Sequence, residues 1–263
     1  MSNWVPISKS DHSNCGWKKP QGYGFFSNNQ IVQVLLAELP KLISCYPLAF
    51  IANQDKFLLV ALLGVEHGRN VFISTSSEWD ASYVPSSVRG YPFSLVRLND
   101  DSLTLCISEE CLVCTEAAPE PLFQPSGELA PHVANTVDFL RHCDANREVT
   151  QRAVDVLASM NLIEVWPIQY RYSDRLDTTR LSGIYRINQE CLHGLEEKAL
   201  KKLMECGALG LAYAQLFSME QLQPLIARAK LQCSGQSPLA GMPELDDIFG
   251  SEDSFNFDFL KKE

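Results

Sequence analysis

The chain has 263 residues, 46% of them hydrophobic and 21% charged, enough for one large domain or two modest ones with a full core. Its formal charge of -10, with no stripe of Lys and Arg, argues against nucleic acid as a partner. No run approaches the roughly 18 apolar residues of a spanning helix, so no membrane insertion is expected.

The opening Met1-Ser-Asn-Trp-Val-Pro-Ile has neither the basic region nor the apolar core of an export signal. A cytoplasmic protein is therefore expected, with its nine cysteines reduced. Residues 1–26 are strand-like or irregular, and Gly22-Tyr-Gly24 reads as a turn. From Asn28, apolar residues at Ile31, Val32, Leu35, Leu36 and Leu39 predict a helix reaching about residue 45, kinked or interrupted at Pro40 and stopped by Pro47.

Leu48–Asn53, Phe57–Gly64 and Asn70–Ser74 are short apolar runs separated by turn-sized breaks, which predicts hairpins. Ser94–Leu98 and Leu103–Ser108 read as another hairpin, with Leu112–Thr115 a short edge. Strands joined so closely form an antiparallel meander, not a doubly wound parallel sheet. After the Pro-containing stretch 119–131 come two helices, one on Val133, Val137 and Leu140, the other on Val149, Ala153, Val156, Leu157 and Met160. Ile168, Tyr170 and Tyr172 alternate as a strand, with Leu181–Ile187 as its partner. Glu196–Cys206 reads as a helix ended by Gly207. Leu209, Leu211 and Tyr213 alternate as a strand, and Ser218-Met-Glu-Gln221 fits a capping box opening a last helix to about Lys230.

The fold class is thus α+β: a largely antiparallel sheet packed with helices, then a helix-rich second layer or lobe. Residues 1–118 form the strand-rich part with one helix, 119–232 the helix-rich part packed with it as one unit, and 233–263 an acidic tail expected to be flexible. Half the net charge lies in 243–263, where seven acids face Lys261 and Lys262. Two apolar clusters sit among those acids: Leu245, Ile248 and Phe249, and Phe255, Phe257, Phe259 and Leu260. These residues are candidates for docking on another protein, the expected partner; packing back on the parent domain is the competing reading.

The phosphate-loop, zinc-protease, nucleophile-elbow and calcium-loop signatures are absent. Cys111-Leu-Val-Cys114 has metal-ligand spacing with Cys106 nearby, but no second pair completes a zinc site. The expectation is no metal and no cofactor, the pair being inert thiols in a strand. Cys45, Cys143, Cys191 and Cys206 read as small core residues. His67 sits in the turn Glu66-His67-Gly68, where functional residues often lie, and a solvated turn histidine is the plainer account. Trp79–Phe93 is the densest unusual stretch, with Trp79, Tyr83, Arg89 and Tyr91 as candidates to stack on and hold a planar or sugar ligand. The structural alternative makes them core filler, with Arg89 buried and bonded to carbonyls or a carboxylate.

These residues carry a resemblance. Glu38-Leu-Pro40, Tyr46-Pro-Leu-Ala-Phe50, Ala61-Leu-Leu-Gly64, Tyr83-Val-Pro85, Arg89-Gly-Tyr-Pro-Phe93, Gly183-Ile-Tyr185 and Gln215-Leu-Phe-Ser-Met219 resemble, in order, the pattern of the SapC family. The chain departs from that pattern at Gly90, where a second arginine is common, and at Gln215, where histidine is expected. The resemblance implies an accessory protein of Gram-negative bacteria, associated by name with surface layers, and assigns no catalytic residue. Three readings follow: a non-catalytic binding or accessory protein of a surface or uptake pathway, an enzyme with a pocket built from the Trp79–Phe93 loop, and a thiol-metal protein using Cys106, Cys111 and Cys114.

Overall fold

Two apolar runs, Leu48–Asn53 and Lys56–Leu62, fold back on each other in antiparallel register, with Phe50 opposite Leu59 and Asn53 opposite Lys56. The strand Ile31–Gln33 pairs with the free edge of the second run. On the other edge Ile184–Ile187 pairs with Leu48–Asn53, and Ile163–Val165 lies outermost. The result is a five-stranded sheet in which every neighbour is antiparallel and distant parts of the chain contribute. A second sheet sets Leu103–Ser108 between Trp4–Pro6 and Phe93–Arg97. A small third sheet centres on Gly16–Trp17, flanked by Leu112–Val113 and Glu120–Pro121. The fold is α+β, as the short turns and alternating runs predict. It is a computed structural model, which describes residues 3–97, 102–115, 119–171 and 178–233. The docking candidates at 245–260 lie outside the described residues.

Two hydrophobic clusters result. The larger gathers Tyr46, Phe50, Leu59, Leu62 and Leu157 around the five-stranded sheet; the smaller gathers Trp17, Phe93, Ile107, Leu122 and Val133. Burying each such side chain contributes about 1.5–3 kcal/mol. One helix, Pro131–Ser159, joins them: Val133 belongs to the smaller cluster, and Ala153, Val154 and Leu157 to the larger.

That helix is continuous where two were expected. Its middle is polar, which mimics a linker in the sequence, yet holds no Gly or Pro to break it. The polar residues have partners: Asn146 Oδ1 accepts from Ala37 N and Thr150 Oγ1 accepts from Leu36 N, capping the turn Leu36–Glu38.

Other expectations are corrected too. The helix expected over 28–45 is the strand Ile31–Gln33, the 3-10 turn Leu36–Glu38 and the short helix Leu39–Leu42, in whose first turn Pro40 fits without a clash. Residues 70–74 form no strand, because the Asn70 side chain turns the chain by accepting from Phe72 N, leaving a single bridge from Ile73 to Trp79. Leu181–Ile187 is two strands parted at Gly183, which adopts φ +76°. The alternation at 209–213 belongs to the helix Ala208–Ser218, whose Ala208, Leu211, Ala212 and Gln215 are all buried. Ser218 opens no capping box, since its hydroxyl is buried, donating to Gln215 O and accepting from Leu48 N. Gln215 lies fully inside, accepting from Ile187 N and donating to Leu48 O, so it ties two strands to this helix.

Candidate functional site

The site grows from one buried carboxyl group. Glu38, 5% exposed, ends the 3-10 turn. Its Oε2 accepts from Leu35 N at 3.0 Å and Ser86 Oγ at 2.8 Å, and its Oε1 from Ser86 N at 2.7 Å and Tyr83 Oη at 2.9 Å. Four donors replace the water such a group loses on burial. They also clamp the chain from Tyr83 to Ser86, where Pro85 leads into the helical turn Ser86–Arg89.

With Val88 buried, the turn directs Arg89 outward, and Arg89 is exposed, contrary to the expectation of a buried arginine. One Nη donates to Tyr83 Oη at 2.9 Å, and the guanidinium lies 5.3 Å from the Tyr83 ring centre and 5.1 Å from that of Phe139. An outward position costs the guanidinium little desolvation, so no buried partner is needed. Its remaining donors have no acceptor among the described residues. Burial, then the bond to Glu38, pushes the Tyr83 hydroxyl up to about 12.

Beyond Arg89, Tyr91 stacks on Phe25 with ring centres 3.8 Å apart and planes 12° from parallel. Phe25 is brought there by Gly22, where φ is +70° and any Cβ would lie 2.4 Å from the Ser77 carbonyl oxygen. The expected turn at 22–24 is thus present.

The stacked pair borders two cavities. One, of about 430 Å³, is walled by Trp17, Tyr23, Phe25, Tyr91 and Phe93, and carries Lys19, Arg89 and His132 with no carboxylate among the described residues of its lining. The other, of about 640 Å³, lies between Trp4, Phe25 and Tyr91 and the middle of the long helix at Cys143, Asp144 and Arg147.

Of the residues singled out in the sequence, Arg89 and Tyr91 line the smaller cavity, and Tyr83 supports Arg89 without lining either cavity. Trp79 acts through the scaffold: its Nε1 donates to Tyr46 Oη at 2.7 Å, and that hydroxyl donates to the carbonyl of Tyr83. His67 sits exposed at its turn beside the Glu66–Arg69 ion pair, and lines neither cavity. Lys19, His132 and Glu38 were not legible as site residues, for they reach it from separate segments, and Ser86, though in the same turn as Arg89, is marked only by its bonds to Glu38. The one local hint was an acid, Glu38, bracketed by leucines.

The thiols need correction. Cys15 and Cys114 form a disulfide across 99 residues, so these two are not reduced and Cys114 is no thiol ligand. The bond fastens the strand carrying Trp17 to the neighbouring strand Leu112–Val113. Such a pairing leaves no spacing signal. Cys106 and Cys111 are buried free thiols, while Cys191 is exposed and not a core residue, because it follows the N-cap Asn188 on the outer side of a short helix. Burial raises the Cys143 thiol above its ordinary value. Among the described residues, no group of three or more His, Cys, Asp or Glu side chains is arranged to hold a metal ion.

The model of the SapC family matches residues 7–225, which takes in the whole five-stranded sheet, the lining of the smaller cavity and all of the larger one's lining but Trp4. The chain belongs to the SapC family. No curated protein and no solved structure matches it. A Cβ at Gly90 would lie 2.7 Å from Leu140 Cδ2 of the long helix. The described residues contain no helix long and apolar enough to cross a membrane.

Proposed function

We propose that the protein is a binding protein that takes a small planar anion, an aromatic or heteroaromatic carboxylate, in the cleft at Arg89. The observation that carries this reading is the charge of that cleft: Lys19 and Arg89, with His132 beside them, meet over five aromatic side chains, and no acid among the described residues lines it. Aromatic walls take a flat ring by edge or face, and a guanidinium with free donors takes a carboxylate by two parallel hydrogen bonds. The cavity volume falls within the range of small-molecule sites, about 300–1,000 Å³.

A non-catalytic role is supported by the state of the nearby groups. Tyr83 and Cys143 are held in their protonated forms at neutral pH, and Glu38 is fully engaged as a clamp. None of them is poised as a nucleophile or base. The family resemblance supports an accessory place in a bacterial surface or uptake pathway. The Cys15–Cys114 bond supports an oxidising compartment in place of the cytoplasm expected from the sequence.

Thermal melting with indole-3-carboxylate and its neutral amide tests the reading. A ligand at about a hundredfold its Kd adds about 2.7 kcal/mol, which raises the melting temperature by roughly 5–10 °C in a protein of this size. The acid should give this shift, the amide far less, and Arg89→Gln should abolish the difference. Equal shifts for acid and amide, or none with a panel of such acids, refute it.

A further inference from the structure

We propose that the larger cavity is a second and separate site, built for an uncharged polyhydroxylated ring, a sugar. It lies where the long helix passes from the smaller hydrophobic cluster to the larger, so its walls come from elements that each belong to a different core.

Its chemistry differs from that of the Arg89 cleft. Asp144, the one acid among the described residues of its lining, accepts from Arg97 at Oδ2 (2.7 Å) and from Arg147 at Oδ1 (3.0 Å), and Arg97 also pairs with Glu148 at 3.0 Å, so two arginines balance two carboxylates. No net charge of either sign is left to select an ion. Instead the cavity offers both donors and acceptors. Asn28 and Asn29 are exposed, and no described residue takes their side-chain amides. Ser87 Oγ, which donates to Gln33 O at 2.7 Å, stands at the same wall as an acceptor. Opposite them are aromatic faces: Trp4, 42% exposed, meets Tyr91 edge-on at 6.3 Å, and Phe25 backs Tyr91. A sugar ring presents apolar C–H faces and hydroxyls that both donate and accept around its rim, which matches aromatic faces with amides at their edge. The volume of about 640 Å³ leaves room for a disaccharide.

Calorimetric titration with neutral disaccharides (maltose, cellobiose, lactose and diacetylchitobiose), with glucuronate and glucosamine as charged controls, tests the proposal. At least one neutral sugar should bind saturably and shield Trp4 from acrylamide quenching. The double variant Asn28→Ala/Asn29→Ala, which removes exposed groups only, should weaken binding by about tenfold or more while melting like the wild type. Trp4→Ala serves as the second variant and should weaken binding comparably. Arg89→Gln should leave sugar affinity unchanged, which keeps this outcome distinct from that of the anion cleft. Absence of binding by every neutral sugar, preference for a charged control, or affinity indifferent to both cavity variants overturns the proposal.

Discussion

Replacing Glu38 by glutamine changes one atom and perturbs the whole clamp. Each carboxyl oxygen accepts one backbone N–H, Leu35 N at Oε2 and Ser86 N at Oε1. The hydroxyls of Ser86 and Tyr83 can rotate to accept from an amide; a backbone N–H cannot. Whichever way the new amide turns, its NH2 group faces a buried donor and orphans it. A lost hydrogen bond plus an unsatisfied buried N–H costs about 2–4 kcal/mol, which corresponds to a fall of about 4–16 °C in melting temperature. Differential scanning calorimetry of Glu38→Gln reads this directly. Ser86→Ala is the control, since it removes one of the four donors and orphans no backbone group, and it should cost about 1 kcal/mol. The variant should also weaken carboxylate binding, because Tyr83 and the Ser86–Arg89 turn lose their anchor. A Glu38→Gln protein melting within about 2 °C of wild type would refute the clamp.

In denaturant without reductant, Cys15 and Cys114 should resist alkylation while the six free cysteines among the described residues react, and peptide mapping should join Cys15 to Cys114. The double variant Cys15→Ser/Cys114→Ser should lose about 2–5 kcal/mol, as expected for a bond closing so long a loop. The Tyr83 hydroxyl, raised from 10.0 to about 12, favours the folded state fully below pH 10; that contribution is lost as pH rises from 10 to about 12. Alkaline unfolding should accordingly be shallower over this window in Tyr83→Phe. Gln215→Ala should lower stability by about 2–4 kcal/mol in denaturant titration, since Ile187 N and Leu48 O lose their partner in the core.

The parts of the fold legible in the sequence are those made by local rules. The hairpins at 48–62 and 93–108 declare themselves because short polar breaks separate apolar runs, and the turns set their register. Ile31–Gln33 and Ala208–Ser218 were misread for a common reason: a short apolar-rich run fits period 3.6 and period 2 alike, so Val32 is the one buried residue of a strand read as helix, and Leu209, Leu211 and Tyr213 alternate within a helix that buries Ala208, Leu211, Ala212 and Gln215. The polar middle of Pro131–Ser159 looked like a linker because its partners, Leu36 and Ala37, lie more than a hundred residues away. The site divides in the same way. Arg89 and Tyr91 stand out within Arg89-Gly-Tyr-Pro-Phe93, whereas Lys19 and His132 join them only through tertiary folding. Trp79, as prominent in sequence as Arg89, holds the Tyr46 hydroxyl instead of facing the cleft.

The most direct test of the anion-binding account is a crystal structure of the protein soaked with indole-3-carboxylate. The account predicts the carboxylate at about 3 Å from the Arg89 guanidinium, with the ring against Tyr91 and Trp17. A cleft left empty at saturating ligand, or a ring seated there with its carboxylate turned away from Arg89, would contradict it.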